Sequence, residues 1–112
     1  MEFIIPQIVI FSNTENRDLI NEVIAGIEEE GALYRLAANE CTDVVKMAYD
    51  AAKASVLGVG IGILGDLICL HSKNLEIMEP LILSKKDKNF SPMLIGCNAA
   101  RYVKGLPLKY ID

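Results

Sequence analysis

One segment near the middle of the chain limits the folds available to it more than any other. From Leu57 to Ile63 the sequence reads LGVGIGI, so apolar residues and glycines occupy both faces of a strand-length segment. A strand that is apolar on both faces is typical of the centre of a sheet covered on two sides. We therefore expect this segment to be a central strand with helices packed above and below it.

Strand-like and helix-like segments alternate along the rest of the chain. The helices are expected after Asn13 or Thr14 with Glu15 in the first turn, after Thr42 with Asp43, and after Ser91-Pro92, with ends at Gly31 and at Gly105 and Pro107. The other strands are expected at Gln7–Ser12, Leu33–Ala37, Leu67–His71, Leu81–Ser84 and Leu106–Ile111, the third of them antiparallel to the central strand. The pattern predicts an α/β fold over residues 1–112: a single three-layer domain with a mostly parallel mixed sheet of about five strands and helices on both faces.

Composition excludes several classes of function. The net charge is -4 and the chain lacks the basic stripe that a nucleic-acid partner requires. No apolar run is long enough for a bilayer, and Met1-Glu2-Phe3 does not resemble the basic start of a signal peptide. Three cysteines without a C-x-x-C motif, and one histidine, argue against a disulfide framework and against a zinc site within the chain. We expect a cytoplasmic protein with neither a nucleic-acid nor a membrane partner.

The central segment also contains a nucleotide-binding motif as a string of letters. Residues 60–65 match G-x-G-x-x-G, but that motif needs a helix to begin at its turn, and residues 66–70 are strand-like. We therefore reject nucleotide binding. The period of two places Gly58, Gly60 and Gly62 on one strand face, where we expect the alanine-rich second helix to pack closely rather than a ligand.

Three acidic residues, Glu28, Glu29 and Glu30, stand where the first helix is expected to end. A helix C-terminus carries partial negative charge and favours cations, so this placement needs compensation. Two interpretations remain open. The acids form a solvated helix end, or one of them binds a cation such as Mg²⁺ that is shared with a partner chain.

Two further polar residues lack an obvious chemical role. Asn98 falls in the apolar stripe of the third helix, where its amide must bond either loop backbone within the fold or a partner subunit. His71 lies near a strand end with no Cys or Asp directly beside it in the sequence, which favours a hydrogen-bonded or an exposed histidine over a catalytic one. No serine has a nucleophile motif around it. The residues alone thus predict a domain without a self-sufficient active site, which is either a subunit or a binding module.

Several short motifs, in order and at the right spacing, resemble the small subunits of diol and glycerol dehydratase reactivases. The resemblance runs from Val9 to Lys109, with a weak stretch between Ser72 and Ser91. Its motifs are Gly26-Ile27-Glu28-Glu29 with Gly31, Leu57 with Val59-Gly60-Ile61-Gly62, Leu70-His71, Pro80-Leu81, and Gly96 with Asn98-Ala99, Val103-Lys104 and Leu106-Pro107-Leu108.

The resemblance implies a fold similar to the dehydratase medium subunit and to anticodon-binding domains. It implies a non-catalytic partner of a large subunit with an actin-like ATPase core, in a heterotetramer of two large and two small chains. Such a complex releases damaged cobalamin from an inactivated coenzyme-B12-dependent dehydratase by subunit exchange. ATP and ADP bind the large subunit, cobalamin belongs to the client dehydratase, and some such systems lie in bacterial microcompartments.

The family's metal-ligating glutamate falls on Glu29, so the resemblance implies Mg²⁺ or Ca²⁺ at the interface with the large subunit. Glu28, Glu30 and Asn98 are candidate interface residues beside it. The client, a glycerol or a 1,2-propanediol enzyme, is left open.

Three other hypotheses compete with this one. A dehydratase medium subunit shares the fold, but we expect a longer N-terminal region there than Met1 leaves before the first strand. An anticodon-binding type of domain has a similar layout, but its RNA partner conflicts with the acidic balance. A small ligand-binding module of flavodoxin type needs a phosphate loop after the first strand, where Ser12-Asn13-Thr14 is short and lacks glycine.

Overall fold

The computed structural model describes residues 5–13, 15–85 and 91–109. Apolar alternating segments form five strands and the amphipathic segments form three helices. In chain order these are β1 (Ile8–Asn13), α1 (Arg17–Glu29), β2 (Tyr34–Ala38), α2 (Val44–Ala54), β3 (Val59–Leu64), β4 (Leu67–Ser72), β5 (Ile82–Lys85) and α3 (Pro92–Val103). The α/β class and the mixed sheet of about five strands are confirmed.

The sheet has the order β2-β1-β3-β4-β5. Strand β1 pairs in parallel with β2 and with β3, whereas β4 is antiparallel to both β3 and β5. The segment that is apolar on both faces is β3, the middle strand of the sheet, and its residues 59–63 are buried. The hairpin from β3 to β4 turns at Gly65, whose positive φ of 58° suits the absence of a side chain.

Polar side chains fix the beginnings of the helices. The Asn16 side chain accepts from the Leu19 N–H, Asp43 accepts from the Val45 and Lys46 N–H groups, and Ser91 accepts from the Leu94 N–H ahead of Pro92. The third cap confirms the prediction. Within the described ranges, no helix is long and apolar enough to cross a membrane.

The two faces of the sheet are covered differently. Helices α1 and α3 share one apolar core with the side of the sheet that carries Ile10, Ile61 and Leu70. Helix α2 covers the other side, where a Cβ on Gly60 would lie 2.2 Å from the Ala52 nitrogen and one on Gly62 would lie 2.8 Å from the Ala48 nitrogen. The close approach of an alanine-rich helix to a glycine face is therefore confirmed at these two positions.

Four details of the sequence prediction are wrong. Gly58 is not part of the glycine face, because it lies in the turn before β3 with a φ of 74° and faces the Lys73 side chain. Asn16 caps α1 instead of Asn13, while Thr14, the other predicted cap, lies outside the described residues. Glu15 therefore precedes the helix rather than lying in its first turn. Asp43 caps α2 instead of Thr42, because its carboxylate reaches two N–H groups.

The predicted final strand is a further difference. Residues 106–109 form neither strand nor helix, and residues 110 and 111 of the predicted strand lie outside the described part of the chain. The physical reason is that the backbone of this segment bonds to α3 rather than to a neighbouring strand: Leu106 bonds the Arg101 carbonyl, and Pro107 and Lys109 bond side chains of α3.

Candidate functional site

The acidic end of α1 separates into two kinds of carboxylate. Glu28 and Glu29 are exposed to solvent. Glu30, the C-cap residue, instead forms ion pairs with Arg101 Nη1 at 3.3 Å and with Lys109 Nζ at 3.2 Å, and its side chain is only 15% exposed. The three neighbouring acids thus have different surroundings, and the exposed ones, Glu28 and Glu29, are those that a partner can reach.

Cations from the end of α3 supply the compensation that the three acids require. The Lys104 ammonium donates to the backbone carbonyl of Glu30, which places a positive charge at the negative end of α1. The hydrogen bond from Lys109, with a further one from Arg101, holds the pKa of the Glu30 carboxyl below its ordinary 4.5 although desolvation opposes this. A solvated end was one of the two sequence interpretations, and it does not describe Glu30.

Asn98 fastens the segment after α3. Its buried amide, 1% exposed, donates from Nδ2 to the Lys109 carbonyl at 2.8 Å, and its Oδ1 accepts from the Lys109 N–H at 2.7 Å. Arg101 Nε donates to the Pro107 carbonyl at 2.6 Å. The sequence left two bonding partners open for Asn98, loop backbone or another subunit, and in the structure its side chain bonds loop backbone. We call residues 105–109 the C-terminal segment from here on.

Glu29, the metal ligand that the resemblance implies, lies where it can supply one ligand to a metal ion but not a complete site. Glu29 offers an exposed carboxylate, a ligand type that Mg²⁺ and Ca²⁺ accept. Among the residues described, no three His, Cys, Asp or Glu side chains are grouped so that they could hold a metal ion. The residues therefore fit a cation only if Glu29 is one ligand and the remaining ligands come from water or from another chain.

The other side chains that could be reactive, His71, Cys69 and Cys97, have structural roles. The Ser72 N–H donates to His71 Nδ1 at 2.9 Å, so Nε2 carries the proton and donates to the Ile77 carbonyl at 2.9 Å. Buried His71 also packs edge-on against Tyr49. Burial raises the pKa of the Cys69 thiol to about 12 and also raises the pKa of Cys97, which makes both poor nucleophiles. His71 is thus a hydrogen-bonded core histidine, as expected.

An open groove of about 660 Å³ lies at the carboxyl ends of β1 and β2. It is lined by Ser12, Asn13, Glu15, Ala38, Asn39 and Glu40. Ligands of open α/β sheets bind at such ends of strands. The charged residues that line it are two acids, which repel a phosphate, and the Asn13 amide donates to the Cys41 carbonyl within the chain. The groove therefore argues against the flavodoxin type of site.

Sequence reasoning missed the basic half of this site. Arg101, Lys104 and Lys109 were visible as cations around the end of the third helix, but they lie about 70–80 positions from Glu30 in the sequence. A pairing over that distance depends on how α1 and α3 pack, and the local pattern carries no information about it. The only signal was the unexplained acidity at the end of α1.

Comparison with known proteins places the chain in a family. Residues 5–109 match the family model described as dehydratase medium subunit. The propanediol dehydratase-reactivating factor small subunit of Citrobacter freundii is 41% identical over 105 residues, which cover 93% of this chain and 90% of that protein. The corresponding protein of Salmonella typhimurium is 38% identical over the same shares. The diol dehydratase-reactivating factor small subunit of Klebsiella michiganensis is 40% identical over 84% of this chain and 76% of its own length.

Solved structures agree with the sequence relatives. A chain from the diol dehydratase-reactivating factor complexed with ADP and Mg²⁺ superposes with a TM-score of 0.87 at 37% identity, over 96% of this chain and all of that one. A chain of a glycerol dehydratase reactivase superposes with a TM-score of 0.88 at 28% identity over the same shares. The protein described here therefore belongs to the dehydratase medium-subunit family and, within it, to the small subunits of diol and glycerol dehydratase-reactivating factors.

Proposed function

We propose that this chain is the non-catalytic subunit of an ATP-dependent, chaperone-like complex that frees inactivated diol or glycerol dehydratase from damaged cobalamin. The large subunit of the complex binds and hydrolyses ATP, and two large and two small chains form the heterotetramer. The small subunit binds the large one through a surface that includes Glu29. The observation that carries the proposal is 41% identity to a reactivating-factor small subunit over nearly the whole of both chains.

Glu29 is proposed as a ligand to Mg²⁺, or Ca²⁺, at the boundary with the large subunit. The support from the structure is that Glu29 is exposed, whereas the neighbouring Glu30 already binds two cations of its own chain. A carboxylate that has neither cation beside it keeps its oxygens available for a hard metal ion. The related diol dehydratase-reactivating factor has been solved with ADP and Mg²⁺, which supports the presence of both in such complexes.

Exchange of subunits is the proposed route by which the complex reaches its client. A chain that matches the model for dehydratase medium subunits shares a fold with part of the dehydratase itself. Two proteins with one fold can bind in turn to the same surface of a third. We propose that the small subunit leaves, and that the large subunit then binds the dehydratase in the vacated place, which loosens the damaged cobalamin.

The first prediction tests the metal ligand. The Glu29→Gln variant is expected to bind the large subunit with little or no dependence on Mg²⁺, because a neutral amide is a poor ligand for a hard cation. Glu30→Gln is the matched control, since it removes the same charge one residue away and should leave the Mg²⁺ dependence in place. Affinity is measured by calorimetry or surface binding in Mg²⁺ and in EDTA.

Two results would contradict the proposal. The same Mg²⁺ dependence in wild type, Glu29→Gln and Glu30→Gln would remove Glu29 from the metal site. ATP turnover by the purified small subunit alone, at a rate similar to that of the complex, would end its assignment as non-catalytic. A reactivation assay with inactivated dehydratase, ATP, Mg²⁺ and adenosylcobalamin, with and without this chain, measures the function itself.

A second function has one observation in its favour. The matching family model is described by the dehydratase medium subunit, so membership of the dehydratase itself is the alternative. The relatives reported above are reactivating-factor subunits, and they cover the chain almost completely. Co-expression with the other dehydratase subunits decides between the two: diol dehydration that depends on this chain would favour the medium subunit.

A further inference from the structure

We infer that the C-terminal segment (residues 105–109) and the exposed acids Glu28 and Glu29 form one composite docking surface for the large subunit, and that Glu30 is the residue that positions the two parts. This inference rests on the proposed function and extends it, because it names a second part of the surface and the residue that holds both together. The acids lie at the end of α1, whereas residues 106–109 of the C-terminal segment lie on no helix or strand that would fix them relative to the acids.

The C-terminal segment begins on backbone hydrogen bonds from Gly105 and Leu106 to the end of α3, and beyond them it is held by side chains. Asn98 bonds both backbone groups of Lys109, and Arg101 bonds the Pro107 carbonyl. The Lys109 ammonium then reaches Glu30 at 3.2 Å. A loop normally keeps its own conformational freedom, which costs free energy to remove on binding. Here that ordering is completed within the free protein, as expected for a preorganised binding surface.

The surface has the composition of an interface. Gly31, which follows the acids, lies against Lys104, since a Cβ there would be 3.3 Å from Lys104 Nζ. An exposed leucine follows on each side of this contact: Leu33 is 58% exposed and Leu106 is 44% exposed. Apolar side chains next to a charged rim are typical of protein interfaces. The two acids at the rim call for positive charge or a metal ion on the facing chain, which fits the large subunit that Glu29 is proposed to meet.

Glu30 acts on this surface indirectly. Its carboxylate is committed to Arg101 and Lys109, and its backbone carbonyl to Lys104, all within the chain. Arg101 and Lys109 belong to the network that fastens the C-terminal segment, whereas Glu30 itself ends the helix that carries Glu29. Glu30 therefore fixes the far part of the C-terminal segment, Pro107 and Lys109, relative to Glu29 without contacting the partner.

The test measures the affinity of the small subunit for the large one, in Mg²⁺ and in EDTA, beside the thermal midpoint of each variant. Leu106→Ser is expected to raise Kd about tenfold in both conditions, the size typical of losing an apolar anchor, with an unchanged midpoint. Leu83→Ser is the matched control. Leu83 is 54% exposed on β5, and its cross-strand partner Cys69 packs under α2, on the opposite side of the sheet.

The positioning role is tested separately. Glu30→Gln and Asn98→Ala release the C-terminal segment at different anchors, so both should raise Kd by a similar factor in Mg²⁺ and in EDTA. Glu30→Asp, which keeps the charge, should recover much of the affinity. If Asn98→Ala fails to fold, Glu30→Gln and Leu106→Ser still decide the question.

The outcomes distinguish this inference from the proposed function. Wild-type affinity of Leu106→Ser would overturn the composite surface, and a lower thermal midpoint of Glu30→Gln without a change in Kd would overturn the positioning role. In either case an intact effect of Glu29→Gln on Mg²⁺ dependence would leave the proposed metal site standing. Conversely, if Glu29→Gln keeps the wild-type Mg²⁺ dependence while Leu106→Ser raises Kd about tenfold, only the role of Glu29 as a metal ligand would be refuted.

Discussion

The carboxylate of Glu30 stands at the C-terminal end of α1, where an isolated helix would favour a cation. Arg101 and Lys109 approach it at 3.3 and 3.2 Å, and Lys104 bonds the carbonyl of the same residue. An arrangement that is unfavourable along one helix thus becomes favourable between two helices. The sequence revealed only the acidic end of α1, because it shows which residues are neighbours along the chain. It does not show that cations of the distant helix α3 contact this end.

The ion pairs of Glu30 predict how stability depends on pH. Because the pKa of Glu30 lies below its ordinary 4.5 in the folded protein, its contribution to stability is present above pH 4.5 and is lost as the pH falls through the lowered pKa. Urea midpoints between pH 3 and pH 7 should therefore fall at the acidic end in wild type and fall less in Glu30→Gln. Glu22→Gln, an exposed acid of the same helix, should retain the wild-type profile, and identical profiles for all three would refute the assignment.

At the level of residues, the sequence predicted a role correctly where the neighbouring residues in the sequence are enough to decide it. His71 without an acidic neighbour and Gly60-Ile61-Gly62 without a following helix were correctly interpreted as structural. The role of Asn98 was resolved only by the fold, because the amide had a choice between loop backbone and a partner. The metal role of Glu29 stays a prediction, since it depends on side chains of another polypeptide.

Two glycines allow α1 and α3 to cross in direct contact. A Cβ on Gly26 would stand 2.0 Å from the Met93 carbonyl oxygen, and one on Gly96 would stand 2.0 Å from the Val23 carbonyl oxygen. Both obstacles are backbone atoms of the opposite helix, which cannot turn aside as a side chain can. Gly26 and Gly96 belong to the motifs that carry the family resemblance, and the crossing gives them a physical reason.

The helix crossing predicts a strong effect of a single methyl group. Gly26→Ala should lower the free energy of unfolding by about 3 kcal/mol or more, because the two helices must move apart. Gly65→Ala is the control: a Cβ there meets nothing within 4 Å, so only the positive φ of 58° costs stability, about 1 kcal/mol. Urea denaturation measures both. Equal losses would mean that the crossing adapts, contrary to this account.

Prediction of the elements was most reliable where periodicity was long. The stripe from Leu19 to Ile27 and the apolar segment around Ile61 gave α1 and β3 within a few residues. The segment Leu106-Pro107-Leu108 misled because apolar residues of this kind are typical of strands. The decisive partner is the side chain of Arg101, which lies on a helix six positions before the Pro107 carbonyl that it bonds. Short patterns specify a structure poorly when side chains compete for the backbone.

Considered as a whole, the protein is a sheet with helices on both faces and an acidic groove at the carboxyl ends of β1 and β2. Its fold is that of the dehydratase medium-subunit family, and its relatives are reactivating-factor subunits. The fold class followed from the order of elements, but the partner did not, because a docking surface has meaning only together with the surface that it meets.

Subunit exchange predicts competition between proteins of the same fold. Inactivated dehydratase added to the complex of large and small reactivase subunits should release this chain, because the client is proposed to take its place. Size-exclusion chromatography with and without nucleotide would detect the free small subunit. A stable assembly that contains dehydratase and an undiminished amount of this chain would count against exchange. Active dehydratase that retains intact coenzyme serves as the control and should release less.

The contact between α1 and α3 also has a consequence for synthesis. The apolar face of α1 is made early, but α3, which covers part of it, is the last of the three helices to leave the ribosome. Until residues 92–103 emerge, Val23 and Ile27 have no helix to pack against on that side, and Glu30 lacks its cations. The core therefore cannot close before residues 92–103 have emerged, and until then the apolar face of α1 is open to contacts with other unfinished chains, which is the condition that favours aggregation.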